Sequence, residues 1–196
     1  MRTSSLQAFA ATAAAMAALF TGAAQAEMAT YTIDPSHTFA TFQISHFGAS
    51  VNRGRLDKKE GTVQFDRAGK SGKVDVRFDT SSINSGTPAF DKHLKSADIF
   101  NAEQHPTMRF VSDKFVFDGD KVSAVEGQLT MLGKTQPLTL KANQFNCYQS
   151  PMLKREVCGG DFEGTLDRTA FGMDYGVQYG FDKNVKVIVQ IEAVKQ

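Results

Sequence analysis

Apolar and polar residues alternate with period two through most of this chain, and that pattern leaves few folds open. Ala40, Phe42, Ile44 and His46 alternate with Thr41, Gln43 and Ser45. Val63 and Phe65 alternate with Gln64 and Asp66, and Val74, Val76 and Phe78 with Asp75, Arg77 and Asp79. Met108 and Phe110 flank Arg109, and Phe115 and Phe117 read as a further short strand. Val125, Leu129 and Met131 share parity with Gly127, Leu138 and Leu140 alternate with Thr139 and Lys141, and Phe162 and Leu166 share parity with Gly164. Val185, Val187, Val189 and Ile191 close the series. Successive side chains of a strand point to opposite faces, so each run is a strand with one apolar and one wet side. Arg67-Ala68-Gly69, Asp118-Gly119-Asp120 and Gly133-Lys134 supply turns between runs close enough to be antiparallel hairpins. The class is all-β. About eight such strands must bury one face each, in a closed barrel or a sandwich.

One segment departs from the alternation. In "GTPAFDKHLKSADIFNAEQHP", Thr87 is a candidate helix cap and Pro88 suits the first helical position. Phe90, Leu94 and Ala97 then share a helical face. A short helix is predicted near residues 87–100, as a lid, a plug or a cover over a sheet edge.

The chain opens with Arg2, an uncharged and mainly apolar run from Ala8 to Phe20, and Ala24-Gln25-Ala26. This is the layout of a secretory signal peptide cut after Ala26. A membrane anchor is the competing reading, but the run is short for a span of about 20 residues. Residues 1–26 are therefore expected to be a leader, and 27–196 a single exported domain. The formal net charge is +1 and falls to near zero once Arg2 is removed. That balance gives no electrostatic case for nucleic acid or an anionic membrane surface. The two cysteines, Cys147 and Cys158, are expected to form a disulfide in an oxidising compartment.

His37 and His46 lie nine positions apart in "IDPSHTFATFQISHFG". On one continuous strand they face opposite sides, about 30 Å apart at roughly 3.3 Å per residue. They cannot then share a metal. His46 shares parity with Phe42 and Ile44 and points inward, as a hydrogen-bonded core residue, a polar anchor at a pocket mouth, or a metal ligand. No HxH, HExxH or CxxC spacing occurs, and no GxSxG or Walker-type loop, so neither a metal nor a catalytic assignment follows. Asp91 and His93 could act as an acid–base pair only beside a nucleophile that no motif identifies. The chain has 16 phenylalanines and no tryptophan. Phenylalanine lines a dry cavity without stranding a polar atom, and equally fills a solid core. An eight-stranded barrel is the size at which either outcome occurs.

Four stretches in order carry a family resemblance. "YTIDPSHTFATFQISH" resembles the aromatic-x-Ile-Asp-Pro-x-His-Ser opening of the YceI-like family, with Phe42 and His46 in step. "FDKHLKSADIFNAEQHPTMRF" matches in Asp91, His93, Leu94, Ser96, Asp98, Phe100, Pro106 and Phe110. "VEGQLTMLGKTQPLTL" matches in Gly127, Leu129, Thr130, Gly133, Thr135 and Pro137, and "DRTAFGM" in Arg168, Phe171, Gly172 and Met173. Tyr31, Thr38 and Phe90 stand where tryptophan, serine and arginine are common in the family. The resemblance implies a lipocalin-like, extended antiparallel β-barrel that holds a polyisoprenoid or quinone-type lipid in an internal tunnel, in the periplasm and with no required cofactor. Combined with the alternation, it assigns the lining to Phe42, Ile44, Val76, Phe78, Phe110, Leu129, Met131, Leu140, Phe162, Val187 and Val189. His46, Asp91, His93 and Arg168 are the polar candidates at its mouth, Arg168 being equally readable as an exposed salt bridge. The expected partner is the lipid itself, with transient membrane contact; a homodimer is compatible with the sequence without being required. The rival readings are an enzyme acting on such a lipid through His46 or His93, and an interaction module with a filled barrel.

Overall fold

A computed structural model describes residues 28–196, so the expected leader and its cleavage site lie outside the described residues. Eleven strands follow in chain order: β1 (Ala29–Ile33), β2 (Phe39–His46), β3 (Ser50–Leu56), β4 (Lys59–Asp66), β5 (Ser71–Asp79), β6 (Ile83–Asn84), β7 (Thr107–Asp118), β8 (Lys121–Met131), β9 (Lys134–Gln149), β10 (Glu156–Asp167) and β11 (Asn184–Lys195). One α-helix among the described residues, α1 (Pro88–Lys95), sits between β6 and β7. Every pairing is antiparallel, and the sheet closes where β1 meets β11.

Eleven segments make an eight-stranded barrel because three of its strands are interrupted. β1 and β2 lie end to end beside β11, broken at Pro35-Ser36, with Tyr31 opposite Lys195 and Phe42 opposite Val187. β3 and β4 continue one another in the same way, β3 beside β2 and β4 beside β1. β5 and β6 are joined by a short 3₁₀ turn, Thr80–Ser82, capped by the Asp79 carboxylate accepting from the Ser81 N–H.

Bulges interrupt the simple alternation at two places, and one of them corrects an expectation. Phe115 and Phe117 belong to the same long β7 as Met108 and Phe110, not to a separate strand. Val111 pairs with Gln128 but Lys114 with Glu126, so β7 carries one extra residue there. That residue flips parity, and odd-numbered Phe115 and Phe117 join even-numbered Phe110 against the core. Asn143 does the same in β9, bringing Phe145 and Cys147 inward after Leu138 and Leu140. A bulge bends its strand and increases local twist, as closing a small barrel requires.

The β8–β9 turn places Leu132 and Gly133 at φ 53° and 72°. Two successive positive φ values match a type I′ turn, whose twist suits flanking antiparallel strands. Helix α1 is shorter than predicted. Pro88 stands at its start, but the Thr87 side chain makes no capping bond. Instead Ser85 donates from both its backbone N–H and its hydroxyl to the Asp91 carboxylate, at 2.7 and 2.6 Å. Ala97 falls beyond the end of the helix, and Ile99 and Phe100 continue its apolar face from the turns that follow.

Candidate functional site

The barrel is hollow. Two apolar chambers lie along it, of about 130 Å³ and about 340 Å³. A single buried water needs only roughly 10–15 Å³, so neither is a packing defect. Ala40, Met108, Leu166 and Val187 border both chambers and form a waist between them.

The narrow chamber is built by the inward faces of all eight strands of the barrel, with Val187, Val189, Ile191 and Ala193 coming from β11. Val76 and Phe78 come from β5, Phe110 from β7, Leu129 from β8, Leu140 from β9 and Phe162 from β10. The bulged residues Phe115 and Phe145 complete it. At its far end Cys158 pairs directly with Cys147, and the two form a disulfide with Cα atoms 4.0 Å apart. Tyr31 borders the same chamber but turns its hydroxyl away to donate to Glu156 Oε1 at 2.6 Å. Burial, with the Glu156 carboxylate adding to it, holds the Tyr31 phenol above its ordinary pKa.

The wide chamber lies between the β2–β3 hairpin, α1 and the connection from β10 to β11. Phe42 and Ile44 come from β2, Phe90 and Leu94 from α1, Met131 from β8, and Phe181 from the long connection. Tyr175 lines this chamber and is also 46% exposed, so the chamber reaches the surface there. Around the opening the His46 ring meets Phe47 and Phe181 edge-on at 5.0 and 5.1 Å. The His93 ring meets Tyr175 at 4.8 Å, and its Nδ1 lies 3.8 Å from the Asp98 carboxylate.

All eleven side chains assigned to the lining from the sequence border one chamber or the other. The four polar candidates separate. His46 and His93 face the wide chamber. Asp91 does not border it; its carboxylate is spent on Ser85, and those hydrogen bonds keep it below the ordinary carboxylate pKa. Arg168 lines the chamber wall yet is neither a free cation nor an exposed ion-pair partner. It is 4% exposed and donates from Nε to the Asp182 carbonyl and from Nη1 to the Met173 carbonyl, both at 2.9 Å. Burial lowers its pKa from the usual value, against the attraction of Asp174, Asp182 and Asp167. Its two bonds clasp both ends of the connection that carries Tyr175 and Phe181.

Sequence reasoning missed Asn52 and Tyr175, which also border the wide chamber. Asn52 shares parity with Leu56 in β3, so alternation could have found it. Tyr175 sits in a glycine-punctuated loop with no period, and only the Arg168 clasp brings it to the opening. Among the described residues no cluster of three His, Cys, Asp or Glu side chains could hold a metal.

The YceI-like domain model matches residues 31–193. A UPF0312 protein of Shewanella denitrificans is 34% identical over 175 residues, covering 86% of this chain and 88% of that protein. The barrel also resembles two solved structures. One is BcnA of Burkholderia cenocepacia, with TM-score 0.67 and 20% identity over 82% of this chain and 98% of that one. The other is a polyisoprenoid binding domain from Saccharophagus degradans, with TM-score 0.59 and 12% identity over 87% of this chain and all of that one. At those identities the structural likenesses establish a shared fold.

Proposed function

Because this chain belongs to the YceI-like family, we propose that it carries or stores a long-chain isoprenoid or quinone-type amphiphile outside the cytoplasm, in the periplasm. The observation that carries this reading is the pair of apolar chambers meeting at a waist, the wide one reaching the surface beside Tyr175. A filled barrel would leave no room for a hydrocarbon tail. The tail would thread the waist into the narrow chamber, and the head group would stay in the wide one, beside His46, Asn52, His93 and Tyr175. The polyisoprenoid binding domain of Saccharophagus degradans, which shares the fold, points to the same ligand class.

The energetics suit a carrier. Each buried CH₂ contributes about 0.8 kcal/mol, so a tail of several isoprene units has ample gross drive. Confinement of the tail and the pull of a bilayer offset much of it, leaving release feasible. The site reads as binding rather than catalysis, because the neighbours of His46 are phenylalanine rings and those of His93 are Tyr175 and Asp98. Native mass spectrometry of protein isolated from its own periplasm, followed by organic extraction, tests the proposal. A stoichiometric isoprenoid or quinone is expected, and protein that emerges without lipid and takes none up from micelles would refute it. Charged residues in place of Phe42 and Leu129 together should abolish retention; a folded double variant that still holds lipid would contradict this lining.

A further inference from the structure

The surface around the opening combines exposed aromatic rings with a low density of charge. Two of the three segments around it are residues 46–52, HFGASVN, at the β2–β3 turn, and residues 175–181, YGVQYGF, in the connection from β10 to β11; the third is α1, whose His93 lies beside Asp98. Neither of the first two contains an Asp, Glu, Lys or Arg, although such residues make up 22% of the chain. Phe47 is 55% exposed and Tyr179 is 71% exposed. Phe47 is held out by a left-handed backbone, φ 55°, an outlying conformation for a bulky side chain. Its ring packs on Phe181 at 4.5 Å, and Phe181 lines the wide chamber. The exposed aromatic rim is therefore continuous with the cavity wall.

The opposite end of the barrel differs. Its hairpin turns carry Asp66, Arg67 and Lys70, then Asp118, Asp120 and Lys121, then Lys154 and Arg155. Met152 and Leu153 are exposed there too, at the end of an uncharged stretch, residues 142–153, but Lys154 and Arg155 follow them directly and they lie at the far end of β10 from the opening.

We infer that the uncharged rim formed by Phe47, Tyr175, Tyr179 and Phe181 docks on the headgroup region of a lipid bilayer, setting the opening of the barrel against the membrane. The inference rests on the proposed lipid carriage, since a tail resident in a bilayer reaches the chamber without crossing water only if the opening faces the bilayer. Tyrosine and phenylalanine suit this boundary, where one side of a ring is dry and the other wet. With no Asp, Glu, Lys or Arg in either segment, docking depends mainly on apolar burial and only weakly on salt and anionic lipid.

The absence of tryptophan gives a clean reporter. In Tyr179→Trp protein, emission should shift to the blue on mixing with phosphatidylcholine vesicles, nearly equally at low and high salt. In Leu153→Trp protein it should not. Phe47→Ser/Tyr179→Ser protein should lose about tenfold or more in vesicle partitioning and in the rate of lipid uptake from vesicles. It should still bind the same lipid offered in detergent micelles. Failure of micelle uptake by the wild type would sink the carrier reading itself. Micelle uptake with no vesicle-induced shift at position 179, or unchanged vesicle transfer in the double serine variant, would overturn the docking surface alone. So would a shift at position 153 instead of 179, or a wild-type rim that captures a protein while ignoring vesicles.

Discussion

Single side chains set the tolerances of this barrel. Tyr31 presents a ring to the narrow chamber and a hydroxyl to Glu156. Its phenol titrates higher in the folded protein than in the unfolded chain, whose ordinary value is 10.0. The folded state therefore holds a proton that the unfolded state has lost, and stability falls as pH rises past that value. Stability measured against pH should decline above it, by up to about 1.4 kcal/mol per pH unit more than in Tyr31→Phe protein. Parallel curves for the two proteins would show that the phenol contributes nothing. Arg168 makes a different demand. Its fork satisfies the carbonyls of Met173 and Asp182 at once. Replacing it with alanine should cost about 1–3 kcal/mol in denaturant unfolding for the stranded acceptors. Lysine should recover little, because a single ammonium cannot reproduce the guanidinium fork. Full rescue by lysine would mean that charge, not geometry, matters there.

Elements matter through their irregularities. The β9–β10 hairpin joins directly opposed Cys147 and Cys158, and Cys158 borders the narrow chamber. Reduction, or Cys147→Ser/Cys158→Ser substitution, should lower stability by about 3 kcal/mol, the loop-closure value for a short cross-link. The cost should appear as a lower denaturation midpoint in the reduced protein; an unchanged midpoint would show that the strand pairing alone holds this hairpin. The bulges at β7 and β9 explain where residue-by-residue reading of the sequence succeeded and failed. Phe42, Ile44, Val76 and Phe78 lie on uninterrupted runs, and alternation placed them correctly on the cavity side. Phe115 and Phe145 follow a bulge, so period two sends them outward while the barrel brings them in. A bulge answers to closure with strands far away in sequence, and no local pattern announces it.

At the scale of the molecule the waist is the controlling feature. Ala40 is buried and borders both chambers, where a larger residue would stand in the path between them. Ala40→Trp protein, if it folds despite an overpacking cost of about 1–3 kcal/mol, should keep short prenyl chains and lose long ones by at least about tenfold. Comparing bound lipids of graded tail length by native mass spectrometry checks this, and an unchanged length profile would show that the tail does not pass the waist.

The amino-acid sequence by itself determined the all-β class, the turns and the apolar face of each uninterrupted strand, because all of these follow from the two-residue period of an extended backbone. Tertiary structure alone decided that the apolar faces meet around space, that Arg168 clasps a loop while Asp91 serves Ser85, and that two uncharged segments, 46–52 and 175–181, become one rim. Those outcomes depend on how eight strands curve to closure, which is a property of the whole ring of hydrogen bonds and not of any stretch of chain.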